Sequence, residues 1–405
     1  MQYVPNLTPI AYYKESIYSV HLRNIFMHKN ANLMRSLSVT SAPLNKEQLP
    51  QLLEQWTRLE KVSSKSFFTS WKWIGSWLKM LDYRTNLVTV YDGSEVIGLA
   101  FFNIHKANRP FHISAQLWFN RTGEDAKDQI WPEYNDILCP KGREWAVRAS
   151  VLQHLVEKYP EMDEFVLGVS RQEIYETPTP PSLFPRVIWE TKSYASLLKP
   201  EFCDLDSFLS STSRNTRHQI RRTLKLLRQR GEVELVKAQS DEEALIMLKH
   251  AARLHKKRWP GLKSGFNNPY FENFHYELIK RNYSSGCIDV LSLNVDDTPV
   301  CFLYNFIHRG YVYFYLSGIE YEKDNRLKPG LLAHAMAISH YASMGCATYD
   351  FMGGEAQYKA SLSNHQVSLI ITSFQRKQPL FILKHWLDAA KSYVRSPGNP
   401  PSDRE

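Results

Sequence analysis

The residues of this chain that are best suited to chemistry lie between positions 326 and 359. A Pro-Gly pair opens a helical segment there, so several backbone N–H groups at the start of the helix have no partner within it. The positive end of the helix dipole lies at the same place, and phosphate groups bind such helix starts. The pattern predicts a phosphate-binding site formed by Arg326, Lys328, Pro329, Gly330, Leu331 and Leu332.

Polar residues lie within and after the next predicted strand, which spans residues 347–352. Asp350 lies inside this otherwise apolar strand, where an ionised carboxylate is costly without partners. It is therefore either hydrogen-bonded into the end of the sheet or a base with a raised pKa. Tyr358 and Lys359 follow a Gly-Gly pair, and they either lie on the surface or stabilise charge that develops in a reaction. Together these features indicate group transfer from a phosphate-bearing donor.

A basic helix predicted at 213–230 forms a second candidate binding surface. It carries seven Lys and Arg residues and no acidic residue. Five of them recur at helical spacing and form one stripe: Arg214, Arg217, Arg221, Lys225 and Arg228. The stripe is either an ordinary solvated face or an anion-binding surface, for which Arg217 and Arg221 are the candidates. No DNA-recognition fold accompanies it, so we expect no specific DNA binding.

The elements that must position these residues occur twice in the same order. In the first half we predict helices at 47–59 and 67–81, a strand–turn–strand at 87–104, a strand at 113–119, a helix at 143–159 and a strand at 164–169. In the second half the corresponding elements are helices at 241–259 and 269–283, a strand–turn–strand at 288–307, a strand at 311–317, a helix at 329–343 and a strand at 347–352. The repeated order indicates duplication, and only the second copy has the Pro-Gly helix entry.

The predicted connections and ends complete this organisation. Pro185 breaks the chain before a linking strand at 188–198, and Gly231 is the predicted C-cap of the basic helix. We expect residues 1–33 to be a disordered extension, 34–187 an N-terminal half, 188–395 a C-terminal half with the donor site, and 396–405 a disordered tail. An amphipathic helix is predicted at 380–394.

Composition excludes several classes of protein. The length of 405 residues suggests two or three domains, and a net charge of +9 favours anionic partners. The five scattered cysteines lack the spacing of a zinc site, so we expect no metal. The sequence also has no Walker loop and no serine-hydrolase motif. No apolar run reaches the roughly 18 residues that cross a bilayer. We therefore expect a cytoplasmic protein, either free or peripheral at the inner face of the membrane.

The run from 328 to 360 resembles the signature of GNAT-superfamily acyltransferases of the CelD type. Three earlier stretches, at 67–73, 118–124 and 133–136, add to this resemblance. Such tandem-GNAT proteins are associated with exopolysaccharide production and are related to Fem peptidyltransferases. The resemblance implies an α/β fold of two tandem GNAT-like halves, each a mixed twisted sheet flanked by helices. It also implies acyl transfer, typically of acetyl, from acetyl-CoA or another acyl-CoA to an amine or hydroxyl of a small-molecule or glycan acceptor.

The resemblance also suggests roles for particular residues. The coenzyme pyrophosphate would rest on the loop that begins at Arg326, although Pro329 and Leu331 replace small residues of the family pattern. A tyrosine after the strand, here Tyr358, would protonate the leaving thiolate, and Lys359 would stabilise the reacting carbonyl. The region that contains His255, Arg258 and Trp259 faces the acceptor in tandem-GNAT relatives, whereas a capping or packing role is the structural alternative.

Two other functions remain compatible with the resemblance. The first is Fem-type aminoacyl transfer from aminoacyl-tRNA, although the long helical-hairpin arm of those proteins is missing from this sequence. The second is a non-catalytic module of a polysaccharide-synthesis system that keeps the fold and a degenerate donor site.

Overall fold

The computed structural model describes residues 36–81, 85–109, 112–261 and 264–379. The first helices are α1 (Leu49–Val62), α2 (Trp71–Met80), α3 (Asp125–Asp128) and α4 (Glu144–Lys158). The first strands are β1 (Leu37–Pro43), β2 (Asn86–Asp92), β3 (Glu95–Arg109), β4 (His112–Phe119), β5 (Glu164–Arg171) and β6 (Leu183–Leu197).

The second part of the chain repeats this order. Its helices are α5 (Leu205–Ser210), α6 (Arg214–Arg228), α7 (Asp241–Arg258), α8 (Pro269–Asn282), α9 (Pro329–Ser343) and α10 (Gln357–Ser361). Its strands are β7 (Val233–Lys237), β8 (Ile288–Val295), β9 (Thr298–His308), β10 (Tyr311–Ile319), β11 (Thr348–Gly353) and β12 (His365–Arg376). The disordered ends predicted at 1–33 and 396–405 and the helix predicted at 380–394 lie outside the described residues.

The described strands form one mixed sheet of 12 strands, in the order β1-β2-β3-β4-β5-β12-β6-β11-β10-β9-β8-β7. Parallel pairing occurs at corresponding places in the two halves, between β4 and β5 and between β10 and β11. Both antiparallel hairpins predicted from the turn residues are present, as β2–β3 and β8–β9. The prediction of two similar α/β halves is therefore confirmed, and the halves share a single continuous sheet.

The two halves exchange their last strands. β12 pairs with β5 of the first half on one side and with β6 on its other side. β6 in turn pairs with β11 of the second half. The boundary expected between residues 187 and 188 falls inside β6, which crosses from one half to the other.

Helices cover both faces of the sheet because alternate strand residues are apolar on each face. One core cluster spans both halves and packs α1, α2, α7 and α8 against one face; Trp73, Phe101 and Phe306 are buried in it. On the opposite face, α4 covers the first half, and α5, α6 and α9 cover the second. No helix in the described ranges is long and apolar enough to cross a membrane.

Three details of the sequence interpretation were wrong. β12 was not predicted, although it lies in the middle of the sheet. Pro185 does not break the chain but lies within β6, opposite Phe374. Gly231 is not the C-cap of α6, which ends at Gln229. Gly231 instead packs against the carboxylate of Asp296, which would have to move to make room for a Cβ there.

Candidate active site

The candidate site lies where the parallel strands of the second half separate. β10 and β11 pair at only three positions, and the last of these joins Tyr313 to Asp350. Beyond it, β10 has a bulge between Phe314 and Leu316. β11 also loses register with β6 between Asp350 and Gly353, and Met352 has a left-handed φ of 59°. The two strands therefore enclose a space, which we term the β10–β11 gap; strained backbone of this kind is typical of functional sites.

Helix α9 begins beside this gap with unpaired backbone donors. Pro329 has no N–H, and the cap residue Lys328 provides no side-chain hydrogen bond. No described group accepts a hydrogen bond from the N–H of Gly330 or Leu331. These two donors and the positive end of the α9 dipole form an anion-binding geometry.

The other residues predicted at this helix start have structural partners or lie in the core. Leu332 is buried, and Gly330 packs against the side chain of Ile319. Arg326 is exposed and forms an ion pair with Asp324 at 2.8 Å, which already occupies its guanidinium. The hydroxyl of Thr223 on α6 accepts from the N–H of Lys328 and shares its own proton between the carbonyls of Gln219 at 2.9 Å and Arg326 at 3.3 Å, so α6 braces the loop.

Asp350 is both hydrogen-bonded and buried. Its carboxylate accepts hydrogen bonds from Tyr134 Oη at 2.5 Å, the N–H of Met352 at 2.6 Å and Ser193 Oγ at 3.2 Å. Burial raises the pKa of Asp350, while these hydrogen bonds and the nearby charge of Lys359 lower it. Asp350 is therefore hydrogen-bonded into the end of the sheet, and its pKa is raised as well.

Glu133 and Lys359 meet at the end of β11. The carboxylate of Glu133 accepts a hydrogen bond from the N–H of Gly353 at 2.7 Å. Lys359 Nζ donates to the carbonyl oxygens of Gly353 at 2.6 Å and Met352 at 3.3 Å. Burial raises the pKa of Glu133 to about 7 and lowers that of Lys359 to about 8, each opposed by the charge of the other. Both groups can thus exchange protons near neutral pH.

Tyr358 points to the other side of β11 from Lys359. Its ring stacks on His334 of α9 with centroids 5.3 Å apart, and it contacts Phe351 edge-on. Burial raises the pKa of Tyr358, so its hydroxyl stays protonated at neutral pH. His334 donates to or accepts from Tyr349 Oη at 2.9 Å, and burial lowers its pKa to about 3. Tyr358 is therefore an acid candidate on the α9 face, while Lys359 belongs to the carboxylate cluster.

The basic stripe lies away from these groups. Arg221 is exposed and pairs with Asp206 on α5 at 2.8 Å. Arg217 donates to the backbone carbonyls of Leu209 and Ser210. The helix that carries them packs with α9, on the opposite face of the sheet from α7 and α8.

The end of α7 lies beside the segment that follows β10. Arg258 lies over two exposed rings, with its guanidinium 5.1 Å from the centroid of Trp259 and 5.3 Å from that of Tyr321. The neighbouring Lys257 pairs with Glu320 at 2.7 Å. His255 instead bonds through Nδ1 to Ser264 Oγ at 2.8 Å, and burial lowers its pKa to about 4. Arg258 and Trp259 therefore face solvent near the gap, whereas His255 packs inside.

The equivalent gap of the first half is closed. β4 and β5 separate after Trp118 and Val166, and the fully buried Asn135 fills the space between them. Its amide donates to the carbonyls of Phe119 at 2.9 Å and Gly168 at 3.1 Å, and its own N–H donates to Val169. In the described chain no residue bridges β10 and β11 in this way beyond Tyr313 and Asp350.

Sequence reasoning missed the contribution of the first half to the site. Glu133 and Tyr134 belong to the loop between β4 and β5, 220 and 216 residues from their partners Gly353 and Asp350. The only sequence signal was their presence in a stretch that resembled the family. Within the described ranges, no group of three or more His, Cys, Asp or Glu residues could hold a metal ion.

Comparisons with known proteins concern the family and the fold. Residues 214–360 match the family described as Acetyltransferase (GNAT) domain. The crystal structure of FemX is 12% identical, with a TM-score of 0.54 over 85% of this chain and 99% of that chain. A tandem GNAT protein from the clavulanic acid biosynthesis pathway is 10% identical, with a TM-score of 0.43 over 84% and 98%. For L-PGS from Bacillus licheniformis the identity is 9% and the TM-score 0.45, over 84% and 97%.

Curated protein sequences give no significant match. The duplicated α/β halves, the parallel strands that separate in the second half and the matched domain lead to one conclusion. This protein has a fold of two GNAT-like α/β halves similar to that of FemX, and residues 214–360 of its second half match the GNAT acetyltransferase family.

Proposed function

We propose that this protein transfers an acyl group, typically acetyl, from acyl-CoA to an amine or hydroxyl acceptor. One observation carries the proposal. The β10–β11 gap has the unpaired N–H groups of Gly330 and Leu331 at one end and the buried carboxylates of Glu133 and Asp350 at the other. The unpaired N–H groups can bind a diphosphate. A buried carboxylate can take the proton that an attacking amine or hydroxyl must lose.

The donor would lie in the gap with its pyrophosphate at the start of α9. The N–H groups of Gly330 and Leu331 would bind phosphate oxygens, and the exposed Lys328 would add a charge-assisted contact. Arg326 is held by Asp324 and would contribute after that pair opens. Pro329 and Leu332 would fix the helix start. The exposed rings at Trp259 and Tyr321 flank the same region, with Arg258 between them.

The transfer would need only positioning and proton movement. The acceptor atom attacks the thioester carbonyl carbon, a new C–N or C–O bond forms, and the C–S bond breaks. Glu133 or Asp350 takes the proton of the acceptor, and Tyr358 gives a proton to the departing thiolate. The positive charge of Lys359 offsets the negative charge that develops on the carbonyl oxygen.

The acceptor and the biological role are further parts of the proposal. A sugar or polysaccharide precursor is the acceptor that we favour, in exopolysaccharide or cell-envelope synthesis. The alternative donor is aminoacyl-tRNA, as in Fem-type transfer, because the fold is shared with FemX.

The donor assignment is tested by thermal shift and calorimetry with acetyl-CoA, longer acyl-CoAs and free CoA. We expect wild type to be stabilised, since a ligand that binds only the native state raises its stability by mass action. Gly330→Asp should weaken CoA binding about tenfold or more, because it places a carboxylate beside the phosphates at the helix start. Gly330→Asn, which adds a side chain of the same shape without the charge, is the matched control.

Equal CoA binding by wild type and Gly330→Asp would reject the helix start as the phosphate site. Absence of any CoA binding by wild type would reject the acyl-CoA proposal. A stabilising effect of aminoacyl-tRNA in that case would favour Fem-type transfer.

A further inference from the structure

A cavity of about 190 Å³ opens beside Asp350, toward the beginning of β11. Its walls come from both halves of the molecule, since β5, β6, β10, β11 and β12 and the loop that carries Tyr134 all contribute. The exchange of β6 and β12 brings these strands together. The cavity therefore exists only because the halves share one sheet.

The inner part of the cavity is polar and buried. Asp350, Ser193 and Thr348 are 6%, 1% and 4% exposed, and all three line the cavity together with Tyr134. Asp350 already accepts hydrogen bonds from Tyr134, Ser193 and the N–H of Met352. The Thr348 hydroxyl lines the cavity and has no hydrogen-bond partner within the described ranges. A polar ligand in the cavity would satisfy it.

The outer part of the cavity is basic. Arg171 and His365 line it, and both are exposed. Neither side chain forms an ion pair or a hydrogen bond with a described residue, and the Arg171 guanidinium lies 5.8 Å from the Tyr134 ring centroid. Lys65 lies over the ring of the lining residue Tyr311 at 4.7 Å. Among the lining residues Asp350 is the only acid, so the rim is positive and the floor carries one carboxylate.

The size of the cavity limits its occupant. The volume of about 190 Å³ has room for several water molecules. A monosaccharide or an amino acid is of this size, and a protein segment is larger. The open, basic side leaves room for a substituent that extends outward.

We propose that this cavity is the acceptor site and that it takes a small sugar or similar molecule with an anionic group. The phosphate or carboxylate of the acceptor binds Arg171, with His365 beside it. Its amine or hydroxyl points toward Asp350 and hydrogen-bonds Thr348. This inference rests on the proposed acyl transfer, in which the acceptor loses a proton to a carboxylate and CoA leaves as the thiol.

The test compares three acceptors that differ in one substituent: glucosamine, glucosamine 6-phosphate and glucosaminuronic acid. Acetyl-CoA consumption is measured with wild type, Arg171→Met and the control Arg253→Met, an exposed arginine on α7 outside the cavity. A charge pair with an exposed arginine contributes up to about 1 kcal/mol, so wild type should prefer an anionic acceptor by up to about fivefold in kcat/KM. The preferred anion, phosphate or carboxylate, identifies the substituent.

Arg171→Met should lose this preference because its KM for the anionic acceptors rises, while its CoA affinity and its Tm stay unchanged. Arg253→Met should behave as wild type. Calorimetry of glucosamine 6-phosphate and glucosaminuronic acid with the CoA-bound protein gives a second readout that does not depend on turnover.

The outcomes separate this inference from the proposed function. If wild type binds no CoA, the proposed function fails. If it binds CoA but anionic and neutral acceptors react equally, the acceptor inference is overturned. It is also overturned if none of the three acceptors reacts, or if Arg171→Met retains the preference.

Discussion

At the scale of residues, the site places two carboxylates and one ammonium group in a small buried space. Glu133 contacts the N–H of Gly353, and Lys359 contacts the carbonyl of the same residue. Burial disfavours the charged form of each, whereas their opposite charges favour it. The balance keeps both groups near the pH at which they can exchange protons.

Glu133→Gln should change the pH profile of the reaction. Because burial raises the pKa of Glu133 to about 7, the base is protonated below that pH and kcat/KM of wild type should rise as the pH passes through about 7. The variant should lose this rise, and its kcat should fall by about 10²-fold or more. Steady-state kinetics between pH 5.5 and 8.5 with one acceptor at saturating acyl-CoA measures both effects.

Tyr358→Phe and Lys359→Met provide the comparison for this profile. Tyr358 lies on the opposite side of β11, so its variant should lower kcat while keeping the rise near pH 7. Lys359→Met should lower kcat and also move the rise to higher pH, because the positive charge that favours ionised Glu133 is lost. A Glu133→Gln profile identical in shape to wild type would assign the base to Asp350 or to the acceptor itself.

Only part of this site was predictable from residue types. Asp350 was evident because a carboxylate interrupts an apolar strand, and Gly330 because it follows proline at a helix start. Glu133 and Tyr134 were not, since their loop has no periodicity and approaches Asp350 only in the folded chain. Arg171 ends a strand like many surface arginines, and nothing in its neighbours indicates a cavity.

At the scale of elements, α6 braces the loop that precedes α9 and presents its basic stripe elsewhere. Thr223 contacts the backbone of residues 326 and 328, whereas Arg217 and Arg221 face the α5 segment. The stripe is absent from the lining of the cavity beside Asp350. If it binds an anion, the ligand is therefore a larger surface or polymer.

The double variant Arg217→Glu and Arg221→Glu should lower the affinity for an anionic polysaccharide, measured as the salt needed for elution from heparin resin. CoA affinity and kcat/KM for small acceptors should stay within about threefold of wild type, because exposed charges contribute little over such distances. The matched control is Lys61→Glu with Arg253→Glu, which changes the net charge equally at exposed positions. Equal elution of the two double variants would mean that the stripe has no special role.

Most helices and strands were predictable from the local sequence pattern, whereas the order in which the strands pair was not. Turn residues gave both hairpins, and the apolar spacing gave α2, α7 and α9. β12 was missed even though its β-branched and apolar run at 367–372 is typical of a buried strand. Its position between β5 and β6 depends on contacts between residues far apart in sequence, which local propensity does not encode.

At the scale of the whole molecule, the duplicated halves differ at the place where their parallel strands separate. The first half closes its own gap with Asn135, and the same loop provides Glu133 and Tyr134 to the second half. The duplication therefore provides one open gap within the described chain and one composite site.

Calorimetry of wild type with CoA should give one binding site per chain. The Asn135→Ala variant should still bind one CoA per chain. Its free energy of unfolding should fall, because the buried carbonyls of Phe119 and Gly168 each lose a hydrogen-bond donor, which costs about 1–3 kcal/mol. The control variant Asn364→Ala removes two hydrogen bonds to the backbone at an exposed position, so it should lose less stability than Asn135→Ala. Two CoA sites in wild type would show that the first half also binds donor.

The strand exchange has a consequence for how the chain is made. β12 is the last of the described strands to leave the ribosome, yet its place is between β5 and β6. Roughly two hundred residues separate it from β5, so synthesis at about 5–20 residues per second leaves the β5 edge waiting for about 10–40 s. An exposed strand edge in a nascent chain is a site for wrong pairing. The sheet between the two halves, and with it the wall of the site, is therefore completed only after β12 has been synthesised.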